Sequence, residues 1–190
     1  MAVLPIRIWG EPVLHEAAAP VTDFDPTLRT LVADMFETMD AAPGVGLAGP
    51  QVGVGLRLFV WSYADQEDGP ARGVAINPTL WISPTEPGEP DEDDEEGCLS
   101  FPGERFPLRR AEEALLRATD LDGVPFEIHA HGWFARVLQH EYDHLDGLLY
   151  VDRLEHPWSK QAGKAARKNS WGAPGPVSYT HLTLPTKRIV

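Results

Sequence analysis

The sequence predicts an α+β fold in which antiparallel sheets pack around a central helix carrying His-Glu-x-x-His, with an N-terminal amphipathic helix and a C-terminal helix. Three observations lead there. Apolar residues recur at spacings of three and four in two separated stretches, 25–40 and 131–147. Between them lie several runs rich in Val, Ile, Leu, Phe and Trp, bounded by Gly, Pro and acidic residues. Helix, then strands, then helix is not the alternation that builds a parallel sheet.

In chain order, DPTLRTLVADMFETMD (25–40) sets Leu28, Leu31, Val32, Met35, Phe36 and Met39 at helical spacing, with Asp23 or Asp25 available as a cap. GLRLFVWS (55–62) and GVAINPTLWI (73–82) read as strands. Residues 83–97, rich in Pro, Asp and Glu, read as a loop. Two more strands are expected around 105–119 and 124–130, joined by the turn-like DLDG at 120–123. HGWFARVLQHEYDHLDG (131–147) places Phe134, Val137, Leu138, Tyr142 and Leu145 on a helical period, and Gly147 supplies its stop. A last helix covers about 157–169. Residues 1–171 read as one domain. The remainder, 172–190, has no period and little to bury, so a flexible or non-native tail is expected there.

With 190 residues, 43% of them hydrophobic, the chain can bury one core. Its one cysteine, Cys98, cannot form an internal disulfide, which favours a reducing compartment. The N-terminal residues lack the basic-then-apolar pattern of a signal peptide, and no apolar run approaches the roughly 20 residues of a membrane helix. A cytoplasmic protein with no membrane partner is expected. The net charge of −13 is unevenly spread. Residues 1–157 hold ten arginines, no lysine and all 29 acids, a net −19, whereas 158–190 hold six basic residues and no acid. The body should repel nucleic acid, so no DNA partner is expected; only the C-terminal end could be drawn to a polyanion.

The chemistry concentrates in His140-Glu141-Tyr142-Asp143-His144. Residues i and i+4 of a helix share a face, so both imidazoles can reach one metal, with Glu141 beside them as a candidate general base. Two solvated histidines on a polar helix face would look the same, and two histidines leave such a site short of a ligand. The downstream spacing that supplies a third histidine in related motifs falls on Tyr150, and Glu155 is the only later glutamate. Cys98 is the better candidate, since a thiolate and two imidazoles make a three-ligand site with an open position. A buried apolar cysteine or a thiol nucleophile paired with a histidine are the competing readings.

Three blocks in this order, GVGLAGPQVG (44–53), EGCLS (96–100) and QHEYDHLDG (139–147), resemble the signature motifs of the peptide deformylase family. The resemblance runs from about residue 5 to 153. It implies a metallohydrolase that removes the formyl group from the N-terminal formylmethionine of nascent bacterial chains, a metal-activated water attacking the formyl carbon. Carried over, it makes Cys98, His140 and His144 the metal ligands and Glu141 the general acid/base. Gln51 and the Leu99 N–H would receive the formyl oxygen, and Gly46 and Gly97 would meet the substrate. Fe²⁺ is the implied metal, with Zn²⁺, Ni²⁺ or Co²⁺ as substitutes. The first block departs from the family pattern at Gly49, where alanine is usual; reduced rigidity beside Gln51 is expected.

For the methionine side chain the candidates are Val45, Trp133 and Val137, the last two preceding His140 by seven and three residues. Core packing would use the same residues. Lys160, Lys164, Arg167 and Lys168 fall mostly on one face of the last helix, a solvated face or a contact for the ribosome.

Overall fold

The computed structural model describes residues 2–42, 44–64, 70–85 and 87–172. The tail expected at 172–190 lies outside the described residues from 173 onward. Among the described residues a five-stranded antiparallel sheet runs in the order β1-β2-β3-β6-β7, from β1 (Gly46–Ala48), β2 (Leu58–Ser62), β3 (Arg72–Ile82), β6 (Glu113–Thr119) and β7 (Pro125–His131). A two-stranded hairpin, β4 (Glu95–Cys98) and β5 (Phe101–Pro107), is inserted between β3 and β6. Three α-helices among the described residues, α1 (Pro26–Ala41), α2 (Gly132–Leu145) and α3 (Trp158–Lys168), complete the α+β architecture.

Local chemistry explains where these elements start and stop. Asp25 caps α1, its carboxylate accepting from Leu28 N at 2.9 Å, and Pro26 occupies the first turn, where its missing N–H costs nothing. The DLDG turn closes β6 onto β7: Asp120 Oδ1 accepts from Asp122 N and Val124 N at 2.8 and 2.9 Å. α2 ends at Leu145, two residues before Gly147, whose φ of +77° is left-handed.

Burial follows the two periodicities. β2 is covered on both faces, so LFVW is continuously apolar: Leu58 and Val60 join the α1 side with Val32, Met35 and Met39, while Phe59 and Trp61 join the α2 side with Phe134, Val137 and Leu138. On β6 and β7 only alternate residues are buried, and Glu113, Arg117, Glu127 and His129 face outward. A third apolar cluster joins α3 to the small sheet through Phe101, Phe106, Tyr150, Ala162 and Ala166.

Three expectations are corrected. The stretch 105–119 is not one strand: β5 ends at Pro107 and β6 begins at Glu113. Side chains of α2 take up the intervening backbone, with Gln139 bonded to both Ala111 N and O and Arg136 Nη1 donating to Leu108 O at 2.6 Å. Nor is 83–97 wholly loop, because β4 starts at Glu95 and ends at Cys98. β2 also starts late, at Leu58, since Gly55 O and Arg57 N are bonded to Ala19.

Gly147 has no room for a side chain without a backbone shift. A Cβ there would lie 2.9 Å from backbone atoms of His15 and Glu16, in addition to the left-handed φ. Gly147→Ala is expected to cost at least about 1–2 kcal/mol, read as a lowered urea midpoint. An unchanged midpoint would show that the 15–16 segment yields freely.

Candidate metal centre

Cys98 ends β4 and pairs with Phe101 across the Leu99-Ser100 turn, so a tight hairpin fixes its thiol. His140 and His144 lie one turn apart on α2, their ring centroids 5.0 Å apart. One donor atom from each of Cys98, His140 and His144 lies within 4.8 Å of the others, and all three residues are buried. Cys98 Sγ is 3.3 Å from His144 Nε2. A tetrahedral ion with a thiolate at about 2.3 Å and an imidazole at about 2.0 Å holds those two atoms about 3.5 Å apart. The donor set therefore fits a divalent metal.

Electrostatics agree with the geometry. His140 Nδ1 sits 2.6 Å from Glu96 Oε1, which leaves Nε2 facing the other donors. That Nε2 and both Glu141 carboxylate oxygens are buried without a hydrogen-bond partner among the described residues. Such groups are costly in an apolar interior unless a cation or substrate engages them. Burial works against a charge on His140, but Cys98 and Glu96 outweigh it and hold its pKa well above the usual value, so this spot favours positive charge. His144 goes the other way: burial and then the His140 charge push it well below its ordinary value, leaving a neutral donor. Burial also pushes the Glu141 carboxyl up to about 7, against the opposing pull of His140.

The other nominated residues gather close by. Gln51 Oε1 accepts from Ala48 N at 2.8 Å, which turns its Nε2 toward Cys98 Sγ at 3.6 Å. Leu99 occupies the turn directly after Cys98. Gly46 lies against Glu141, and a Cβ on it would overlap that carboxylate. Gly97 is buried in β4. Val45 and Val137 are fully buried in the α2-side core, with the half-buried Trp133 packed against them. Gly49 is not loose: it is buried in a 3-10 turn, and its carbonyl accepts from Val54 N at 3.0 Å. Tyr150 stacks on His140 and donates its hydroxyl to Glu104 O, while Glu155 is exposed.

Five residues escaped the sequence reading: Glu96, Arg110, Arg136, Asp143 and Arg153. Glu96, which closes the acidic run taken as solvated, is fully buried, and its carboxylate meets Arg110, Arg136 and His140. Burial alone would raise its pKa, but Arg110 and His140 hold it well below the carboxylate range. Arg110 reaches Asp143 as well, at 2.6 Å, and Arg153 clasps Asp143 from outside. Burial disfavours the Arg110 charge, yet Glu96 and then Asp143 raise its pKa overall. A metal-bound histidine whose second nitrogen meets a carboxylate is the usual arrangement around such ions. The one hint in the sequence is that the body uses ten arginines and no lysine, the choice suited to buried forks.

Fold and donor set together define a class: α+β hydrolases in which a strand cysteine completes the histidine pair of an H-E-x-x-H helix. Within it, residues 3–160 match the family model described as polypeptide deformylase, and the chain belongs to that family, whose members remove N-formyl groups from nascent peptides. It is 52% identical to a peptide deformylase of Tropheryma whipplei (strain TW08/27), over 91% of each chain. It is 51% identical to one of Mycolicibacterium paratuberculosis, over 92% of this chain and 93% of that one. The crystal structure of peptide deformylase from Thermus thermophilus superposes with a TM-score of 0.75 at 40% identity, over 87% of this chain and 94% of that one. The Synechococcus elongatus enzyme in complex with actinonin gives 0.78 at 34% identity, over 90% of each.

The Gly46–Glu141 contact yields a direct test. Gly46→Ala is expected to keep its circular dichroism spectrum while its rate on a formyl-Met peptide falls by about 100-fold or more; this tests whether the Glu141 carboxylate takes part, since loss of a proton-transfer group typically costs that much. A rate within twofold of the parent would show that the carboxylate has room to move.

Proposed function

We propose that Cys98, His140 and His144 hold one catalytic Fe²⁺ and that Glu141 handles the protons as the formyl group leaves an N-terminal formylmethionine. The observation that supports this best is the convergence of three buried donor atoms within 4.8 Å beside a buried carboxylate that has no hydrogen-bond partner among the described residues. Bound there, Fe²⁺ would supply Lewis acidity to a water and to the formyl oxygen. Zn²⁺, Ni²⁺ or Co²⁺ can replace it, and ligand softness alone would suit zinc.

The chain's own residues do the rest. Glu141 accepts a proton from the attacking water and returns it to the departing amine, so that formate and a free N-terminus result. Gln51 Nε2, already turned toward Cys98, and the Leu99 N–H receive the negative charge that develops on the formyl oxygen. The substrate enters as an extended strand. Among the described residues β1 is an edge of its sheet and β4 pairs only with β5, so Gly46 and Gly97 offer backbone on two edges beside the donors. The methionine side chain lies among Val45, Trp133 and Val137, of which Trp133 is the half-buried member. Residues 1–171 form the catalytic unit, acting in the cytoplasm, where nascent chains emerge. No helix among the described residues is long and apolar enough to cross a membrane.

The ribosome is a further partner in this reading. On α3, Ala162, Ala165 and Ala166 are buried, while Lys160, Lys164, Arg167 and Lys168 are exposed, a cationic face on an otherwise acidic body.

Each element has an expected outcome. Glu141→Ala should keep one metal per chain by elemental analysis and lose about 10²–10⁴-fold in turnover; near-parental turnover would refute its role. Gln51→Leu should cost roughly 100-fold in kcat with metal retained. Neutralising Lys160, Lys164, Arg167 and Lys168 together should weaken ribosome co-sedimentation and flatten its salt dependence, whereas unchanged binding and slope would remove α3 from the contact.

A further inference from the structure

We infer that Arg110 is a positioning residue for the metal centre: its guanidinium ties the strand that carries Cys98 to the helix that carries His140 and His144. This rests on the metal reading above and concerns what holds three donors from two elements at bonding separation. Among the described residues no backbone hydrogen bond joins β4 to α2. Side chains must do it.

Arg110 lies on neither element, in the break between β5 and β6. Its Nε and Nη2 meet the two oxygens of Glu96 at 3.0 and 2.6 Å, two residues before Cys98. Its Nη1 meets Asp143 Oδ2 at 2.6 Å, one residue before His144 and three after His140. Glu96 then reaches His140 Nδ1 at 2.6 Å, which closes a ring of contacts from strand to helix and back. A guanidinium is planar and its nitrogens are at fixed spacing, so the link has a set length and angle. Arg153 holds Asp143 through both oxygens and so prevents the carboxylate from turning away.

Arg136 is the other candidate link, since it runs from α2 to Glu96 Oε2 at 3.1 Å. That nitrogen is shared with the carbonyls of Leu108 and Asp94, and Nη2 goes to Asp94 Oδ1 at 2.6 Å, so Arg136 holds Glu96 through one shared nitrogen. Arg110 alone grips Glu96 with two nitrogens and a helix carboxylate with the third.

The test uses the full chain loaded anaerobically with Co²⁺, reading its dissociation constant against a competing chelator and the thiolate-to-cobalt absorption band. The parent should bind one Co²⁺ with that band. Arg110→Met should bind at least about tenfold more weakly, with a shifted or diminished band, as loss of a ligand's support typically does; Arg110→Lys should restore part of both. A purely structural role would lower thermal stability and leave the band in place. If Arg110→Met does not fold, Asp143→Asn breaks the link from the helix side and is expected to weaken Co²⁺ binding likewise. Parental affinity and band in a folded Arg110→Met, or in Asp143→Asn if that variant has to stand in, overturn the inference. A parent chain without the thiolate band refutes the metal reading itself, and the inference falls with it.

Discussion

The 2.6 Å contact between Glu96 and His140 is the interaction around which the site is organised. A carboxylate at zero exposure cannot stand alone, because desolvating an unpaired charge costs several kcal/mol. Arg110 and Arg136 neutralise it, and each brings its own acid, Asp143 and Asp94. The outcome is a chain of alternating charges packed between α2 and the small sheet. Removing one member of such a chain costs about 3–5 kcal/mol, since its neighbour is left buried and uncompensated. The exposed pair Arg29–Asp122, half or more in solvent on both sides, carries no comparable weight.

That charge chain explains features that otherwise look unrelated. The strand pattern fails at 108–112 because Arg110 has to turn inward and α2 supplies hydrogen bonds to the freed backbone. α2 buries Arg136, Gln139, Glu141 and Asp143 along with its apolar residues, so it is nearly all inside although its sequence is half polar. The EGCLS segment sits where three apolar clusters meet: Leu99 belongs to the α1 side, Cys98 to the α3 side, and the histidines stand on the helix of the remaining cluster. The donors are thereby held in a rigid, water-poor place, while Gly46 leaves just enough room for the Glu141 carboxylate.

What could be read from the sequence was what local signals encode. α1, α2 and α3 appeared within a residue or two of their bounds, because a 3.6 period, an aspartate cap and a glycine stop are short-range features. Cys98, His140 and His144 stood out through an i, i+4 spacing and a lone cysteine, and the structure brings them together. Glu96 could not be told from the acids before it, since burial is decided by partners 14 to 44 residues away. Asp143 was hidden in the same way, as an unremarked position inside His-Glu-x-x-His. The break between β5 and β6 was missed because its cause lies in α2, not in residues 108–112 themselves.

One ion held by Cys98, His140 and His144 is proposed to carry the chain's activity. The most direct test is to strip the protein with a chelator, then add Fe²⁺ stepwise without oxygen and follow formate release from a formyl-Met peptide. The stripped chain should release none, release should rise linearly and stop at one Fe²⁺ per chain, and Cys98→Ala should not recover. Full activity in the stripped protein, or the same recovery without the thiol, would contradict that role.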